Sequence, residues 1–197
     1  GTAEVFYRTR TGIPATRITT LPSTFGASLP PENLNSINNR GFELELGTVG
    51  NVGKLMYDIS GNIAWARAKW DHYEEPDYTD PDEIYINKIS GEWADRRLMY
   101  KSDGLFTSQS EIDDLPFDQD LQGNTTLRPG DIRYVDLNKD GKLDWRDQVK
   151  IPGNTPLWTM GLNLNLKYKN FDFSALFQGS FGYYTHVVLA GGINSEK

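Results

Sequence analysis

Oxygen-bearing side chains recur at short, regular intervals in Asp136-Leu137-Asn138-Lys139-Asp140-Gly141-Lys142-Leu143-Asp144-Trp145-Arg146-Asp147. The order is that of a twelve-residue calcium loop. Calcium is a hard cation that gathers about six to eight oxygens, and a loop of this length offers them from alternate positions. Asp136, Asn138 and Asp140 stand at positions one, three and five. Gly141 falls where the chain must turn sharply. Lys142 would contribute its backbone carbonyl, which leaves its side chain free to point away. Leu143 is placed as an inward anchor, and Asp144 could act directly or through water. Asp147 closes the loop where a glutamate is usual. The bland alternative is an Asx-rich turn that holds no metal. Pro152, Gly153 and Pro156 follow soon after, so no long exit helix is expected.

No catalytic constellation accompanies these residues. His72 and His186 are far apart in sequence and have no nearby nucleophile or zinc-ligand spacing. Acidic residues are plentiful, but carboxylates without a known geometry are a weak sign of glycoside hydrolysis. There is no Gly-rich phosphate loop. An enzyme is therefore not expected. A net charge of −7 argues against a nucleic-acid surface, which needs clustered Lys and Arg. With no cysteine, disulfides and thiolate metal sites are excluded.

The elements that must carry the loop read as strands. Aromatic residues make up 12 % of the 197, and 19 are glycine, a balance that suits β structure with many turns. Five segments alternate with period two: Ala3–Arg10, Asn39–Gly47, Lys54–Trp70, Leu157–Tyr168 and a fifth from Phe171. In the fourth, Trp158, Met160, Leu162, Leu164, Leu166 and Tyr168 face one way. Thr159, Gly161, Asn163, Asn165 and Lys167 face the other. No run of about twenty apolar residues marks a membrane helix, which does not exclude a barrel.

The connections alternate in length. Long ones are expected at about 11–38 and 71–156, and short ones at 48–53 and Lys169-Asn170. Long outer loops and short inner turns are the rhythm of an outer-membrane barrel. Trp158 and Tyr168 bracket an apolar face spanning ~34 Å along the strand, or ~26 Å after a tilt of about 40°. The apolar band of such barrels is about 25 Å tall and rimmed by aromatic girdles. The expected fold is thus all-β: a transmembrane antiparallel β-barrel segment of about five strands with long extracellular loops. Both ends of the chain read as continuing something longer. Tyr73, Tyr78, Tyr85, Trp93 and Tyr100 lie among acidic residues in the second long loop, where they could stack on sugars or pack the loop itself.

Four stretches together resemble the SusC/RagA family of TonB-dependent outer-membrane transporters. They are Asn39-Arg40-Gly41-Phe42-Glu43-Leu44, Lys101-Ser102-Asp103-Gly104-Leu105-Phe106, Pro129-Gly130-Asp131-Ile132-Arg133-Tyr134-Val135 running into the loop at Asp136, and Phe177-Gln178-Gly179. They occur in the family's order and cover nearly the whole chain. Locally, the loop with Asp at position twelve also resembles the single calcium loops of dockerins. The family resemblance implies a barrel of about 22 strands, closed by an N-terminal plug that this chain lacks, with residues 1–197 forming part of one barrel domain. It implies a SusD-like surface lipoprotein as lid and coupling to TonB through the missing N-terminal part. It further implies import of glycans, oligosaccharides or peptides across the cell outer membrane, typically in Bacteroidota. Here the bound Ca²⁺ would be structural, tying down a surface loop.

A second reading is a secreted, calcium-stabilised β-sandwich that binds carbohydrate. The two differ in what covers the apolar strand face: lipid in the first, a second sheet in the other.

Overall fold

The computed structural model describes residues 1–18 and 29–185. In chain order the strands and helices are β1 (Thr2–Ala15), β2 (Glu32–Val52), β3 (Leu55–His72), α1 (Pro81–Asn87), β4 (Arg97–Tyr100), β5 (Ser102–Leu105), α2 (Gln109–Asp113), β6 (Ile132–Tyr134), β7 (Gln148–Ile151), β8 (Trp158–Tyr168) and β9 (Phe171–Phe181). A 3-10 turn at Trp145–Asp147 precedes β7. The chain divides into two compact units. One contains β1, β2, β3, β8 and β9 with residues Ile89–Asp95; the other contains Glu75–Lys88 and Arg96–Ile151.

The first unit is a five-stranded antiparallel sheet in the order β1-β2-β3-β8-β9. All five alternating segments are strands of one sheet. The β2–β3 hairpin closes at Gly53-Lys54, with Val52 opposite Leu55, not across 48–53 as expected: Thr48–Val52 stays paired to Leu55–Ile59 and prolongs β2. Gly53 takes φ +62° at the first turn position, a backbone conformation that glycine adopts without a Cβ clash. The β8–β9 hairpin closes at Lys169-Asn170, as the sequence predicts, with Tyr168 opposite Phe171.

Directly opposed residues in such a sheet lie on one face. Register therefore sorts the side chains across strands. Val5, Phe42, Trp65, Trp158 and Phe181 form one row. The Trp158 and Phe181 rings stack at 5.6 Å, and Phe42 meets Trp158 edge-on at 5.7 Å. Beyond that row come Leu44, Ile63 and Met160, then Leu46 and Leu162 with Phe177. Tyr57, Leu166 and Phe173 lie further along, and Tyr168 with Phe171 completes the far rim. The opposite face carries Glu45, Asn62 and Gln178 in its rows, then Ser60 and Asn163, then Asp58, Asn165 and Ser174. Ser174 donates to Asn165 at 2.8 Å. Val49, Met56 and Leu176 are apolar departures on this second face.

Among the described residues of this unit, neither face has buried hydrophobic side chains behind it. Leu46, Met160, Leu162 and Phe177 on the apolar face are 44–59 % exposed. The buried hydrophobic residues among those described, Ile86, Phe106, Ile112 and Leu143, all belong to the second unit. Among the described residues of this unit there is no second sheet of the kind a sandwich requires.

The strands run past the limits that alternation suggests. β1 continues to Ala15 and β2 starts at Glu32, so the connection expected at 11–38 is shorter at both ends. Its residues 19–28 lie outside the described residues. The reason is physical: Glu32–Asn38 projects beyond the aromatic row, where no apolar face is needed. Period-two hydrophobicity fades there while backbone pairing to β1 and β3 persists. The region expected to be one excursion, 71–156, is also not plain loop. It holds two short helices and four short strands. Asp80 caps α1 by accepting from the Asp82 amide at 2.8 Å, and Ser108 caps α2.

Leu162→Arg should cost the assembled full-length protein about 2–4 kcal/mol, since it puts a cation on the apolar band. Asn163→Arg, one residue along on the opposite face, should leave stability near the parent. Urea unfolding in lipid vesicles reads both; equal effects would contradict the assignment of faces.

Candidate functional site

The second unit is built from sequence segments that pair with one another. Ser102 lies opposite Tyr134, and Leu105 opposite Ile132. Phe106 donates to the Asp131 carbonyl at 2.9 Å, and Gly130 donates back to Phe106 at 2.7 Å. Arg133 reaches Asp103 at 2.6 Å. Two of the stretches that suggested a family are thus the two halves of one β ladder. Phe106, 1 % exposed, is the buried side chain beside it.

This ladder leads straight into the loop 136–147. Both Asp136 oxygens are committed to the loop backbone: one accepts from Lys139 at 2.7 Å, the other from Gly141 at 3.0 Å. Asn138 accepts from the Asp140 amide at 3.0 Å, and Asp140 from the Lys142 amide at 3.2 Å. Lys139 at φ +60° and Gly141 at φ +85° make the sharp turn that this side-chain bonding requires. Leu143 is buried, as expected of an inward anchor.

Asp147 holds a different position from the others. It is fully buried, and its carboxylate accepts from Leu137 at 2.8 Å, Asn138 at 3.4 Å and Asp144 at 2.8 Å. It staples the end of the loop to its beginning and forms a capping box with Asp144. Asp144 accepts from the Arg146 amide at 2.9 Å and pairs with Lys142 Nζ at 3.1 Å. The Arg146 hydrogen bond holds its carboxyl below the usual carboxylate range, with Lys142 helping against partial burial.

The donor set is made of hard oxygens, the chemistry that calcium takes. Among the described residues, however, no three His, Cys, Asp or Glu side chains converge as a metal cluster. The Lys142 ammonium and the Arg146 guanidinium, 3.6 Å from Asp144, stand where a cation's charge would be felt. The twelve positions are therefore brought into one braced turn, with Lys142 turned toward Asp144 instead of outward.

Sequence reading overlooked a second braced turn beside it. Asp120 accepts from the amides of Gln122, Asn124 and Thr126, each at 2.8 Å, and from the Thr126 hydroxyl at 2.6 Å. The Thr126 hydroxyl and these amides hold the Asp120 carboxyl far below its ordinary range. Asp118 accepts from Gln122 and Gly123, and its backbone bridges Lys142. The available signal was Asp118 and Asp120 at alternate positions just before Gly123-Asn124, a pattern that favours Asx turns.

The loop aromatics serve mainly to pack their own surroundings. Tyr73 meets Trp70 at 5.1 Å, Tyr100 meets Tyr134 at 5.7 Å, and Lys150 sits 4.4 Å over Tyr85. Trp93 belongs to the sheet: residues 91–94 bond along β3, with Ala94 donating to Ala68 and Trp70 donating to Glu92. His72 lies 3.9 Å from Glu74, and His186 is outside the described residues.

No protein-family model matches the chain. Curated relatives do. TonB-dependent receptor P3 of Formosa agariphila is 27 % identical over 189 residues, which is 87 % of this chain and 18 % of the relative. TonB-dependent receptor SusC of Bacteroides thetaiotaomicron is 26 % identical over 167 residues, 79 % of this chain and 15 % of SusC. The chain resembles TonB-dependent receptors, SusC among them. It spans less than a fifth of the length of either. Among solved structures, the RagAB peptide importer in its open-open state covers 92 % of the chain with a TM-score of 0.52 and 15 % identity, and the match takes in 18 % of that structure's chain. The sheet accordingly shares the fold of a segment of that importer, and the curated relatives are receptors, not enzymes.

Asp147→Ala should loosen the loop by about 1–3 kcal/mol, because it strands buried amide donors. Hydrogen exchange at Leu137, Asn138 and Asp144 in the full-length protein reads the effect. Protection equal to the parent would show that Asp147 is not the staple.

Proposed function

We propose that this chain supplies barrel strands and a braced outer loop to an outer-membrane TonB-dependent importer. The observation that carries the reading is the sorting of the sheet. One face is apolar between aromatic rims, the other is mostly polar, and the apolar residues Leu46, Met160, Leu162 and Phe177 are exposed. A soluble sheet with Leu46, Leu162 and Phe177 so exposed would be an aggregation hazard. In a bilayer the same face is solvated by lipid, and Asp58, Asn62, Asn163 and Asn165 line a lumen. β1 and β9 each have one strand neighbour in this sheet. Open edges are not tolerated in hydrocarbon, so both edges pair with further strands of a closed barrel.

The two-residue turns after β2 and β8 face the periplasm, and the second unit lies on the cell surface. The cargo is an oligosaccharide or a peptide, captured with a SusD-like lipoprotein and moved by coupling to TonB. Similarity to SusC supports the partner and the coupling. Single cysteines introduced into a cysteine-free full-length transporter test the orientation. With Asp120→Cys, a membrane-impermeant maleimide should label intact cells; with Lys54→Cys, labelling should occur only after permeabilisation. The reverse pattern would overturn the reading.

The loop 136–147 binds Ca²⁺ as a structural clasp through Asp136, Asn138, Asp140, the Lys142 carbonyl, Asp144 and Asp147. The oxygen donor set and the backbone bracing around Gly141 support this, and the ion would displace the Lys142 ammonium from Asp144. Asp136→Ala and Asp140→Ala should each abolish calorimetric Ca²⁺ binding by the detergent-solubilised transporter. Parent-like binding in either variant would leave a metal-free Asx turn as the answer.

A further inference from the structure

Just past the aromatic row, on the same face of the sheet, the side chains change from apolar to cationic. Tyr7, Arg40 and Arg67 form the next row, followed by Thr9, Asn38 and Lys69. Trp93 lies opposite Lys69. Its indole collects three cations: Arg67 Cζ at 4.5 Å, Arg40 Cζ at 5.7 Å and Lys69 Nζ at 5.7 Å from the ring centroid. Arg40 also lies 5.4 Å from the Tyr7 ring.

Two acidic groups face this cluster. Asp95 pairs with Arg67 at 2.9 Å and accepts from the Gly153 amide at 3.2 Å. Asp71 accepts from the Asn38 amide group. Among the described residues, no carboxylate is within ion-pair distance of Arg40 or Lys69. Arg40 instead donates to the Asn38 side-chain oxygen at 2.9 Å. In a chain of net charge −7, three cations around one indole with a single ion pair are a local surplus that calls for an anion.

Position says which anion. Arg40 is two residues beyond Phe42, and Lys69 four beyond Trp65. With a rise of about 3.4 Å per residue and a tilt of about 40°, they sit ~5 and ~10 Å above the aromatic row. The headgroup layer adds about 5–8 Å to each side of the hydrocarbon core. Arg40 and Arg67 therefore stand at headgroup height and Lys69 at its outer margin, on the face that meets lipid. Indole rings and long basic side chains both favour that layer.

We infer that Arg40, Lys69 and Trp93, with Arg67 behind them, bind the phosphate of an outer-leaflet glycolipid headgroup whose acyl chains lie along the apolar face below. The inference rests on the barrel reading above. A lipid is favoured over a free anion because the cationic rows are continuous with the apolar band.

The test uses the full-length transporter in detergent, with native mass spectrometry reading retained diphosphoryl lipid A and its dephosphorylated form. The parent should retain the phosphorylated form preferentially. Arg40→Gln and Lys69→Gln should each lower that retention roughly fivefold and leave the dephosphorylated form unchanged. The Arg40→Lys/Lys69→Arg double variant should keep it. Equal losses for both lipids, no loss, or displacement of the lipid by inorganic phosphate would overturn the site. If the barrel reading itself were wrong, the parent would not assemble in outer membranes. A parent that assembles but shows no phosphate preference removes this inference alone.

Discussion

The antiparallel register, unbroken from Ile37 in β2 across β3, β8 and β9, is the constraint on which the rest of the sheet depends. Side chains in a strand alternate faces, so a one-residue slip between any two strands would put leucines among asparagines. Two hairpins closed by two-residue turns hold that register at one end. At the other, the Phe42, Trp65, Trp158 and Phe181 rings interlock across four strands. Gly41 contributes locally: its absent side chain leaves room for the Phe6 ring and the Trp65 carbonyl.

Among the described residues the sheet has no buried hydrophobic side chain, so apolar burial within it does not hold it together. What holds it is backbone pairing, which strengthens in consequence as water is withdrawn. Amides facing hydrocarbon have no alternative partner. The second unit follows the opposite rule. It is rich in charge, and its small core of Phe106, Ile112, Ile86 and Leu143 is supplemented by carboxylates that accept backbone amides. Asp120, Asp136 and Asp147 each satisfy several donors that a chain this poor in regular structure would otherwise leave to water. The turn at 136–147 is specified by its own side chains.

Much of the sheet could be read directly. Period-two alternation marks a strand wherever one face is apolar and the other polar, and all five such segments became neighbours in chain order. The signal failed where its cause was absent. Glu32–Asn38 is strand without an apolar face, and 91–94 follows β3 with too few residues to show a period. The short helices escaped because a five- or seven-residue helix shows barely two turns of periodicity. The loop motif was legible because calcium-type loops place oxygens at fixed offsets. The stapling role of Asp147 was not: the Leu137, Asn138 and Asp144 amides that its carboxylate accepts from are set by how the loop closes, not by the spacing of its oxygens.

By itself the sequence determined the alternation of faces, the site of the tight turn at Lys169-Asn170 and the spacing of the acidic loop. These depend on local geometry: a strand repeats every two residues, and a turn is a matter of a few torsions. Only the tertiary structure decided which residues meet across strands. It joined 101–106 to 129–135 as one ladder, tied Asp147 to Leu137 and gathered Arg40, Arg67 and Lys69 around Trp93. Those meetings depend on register and chain return over tens of residues, which no local pattern encodes.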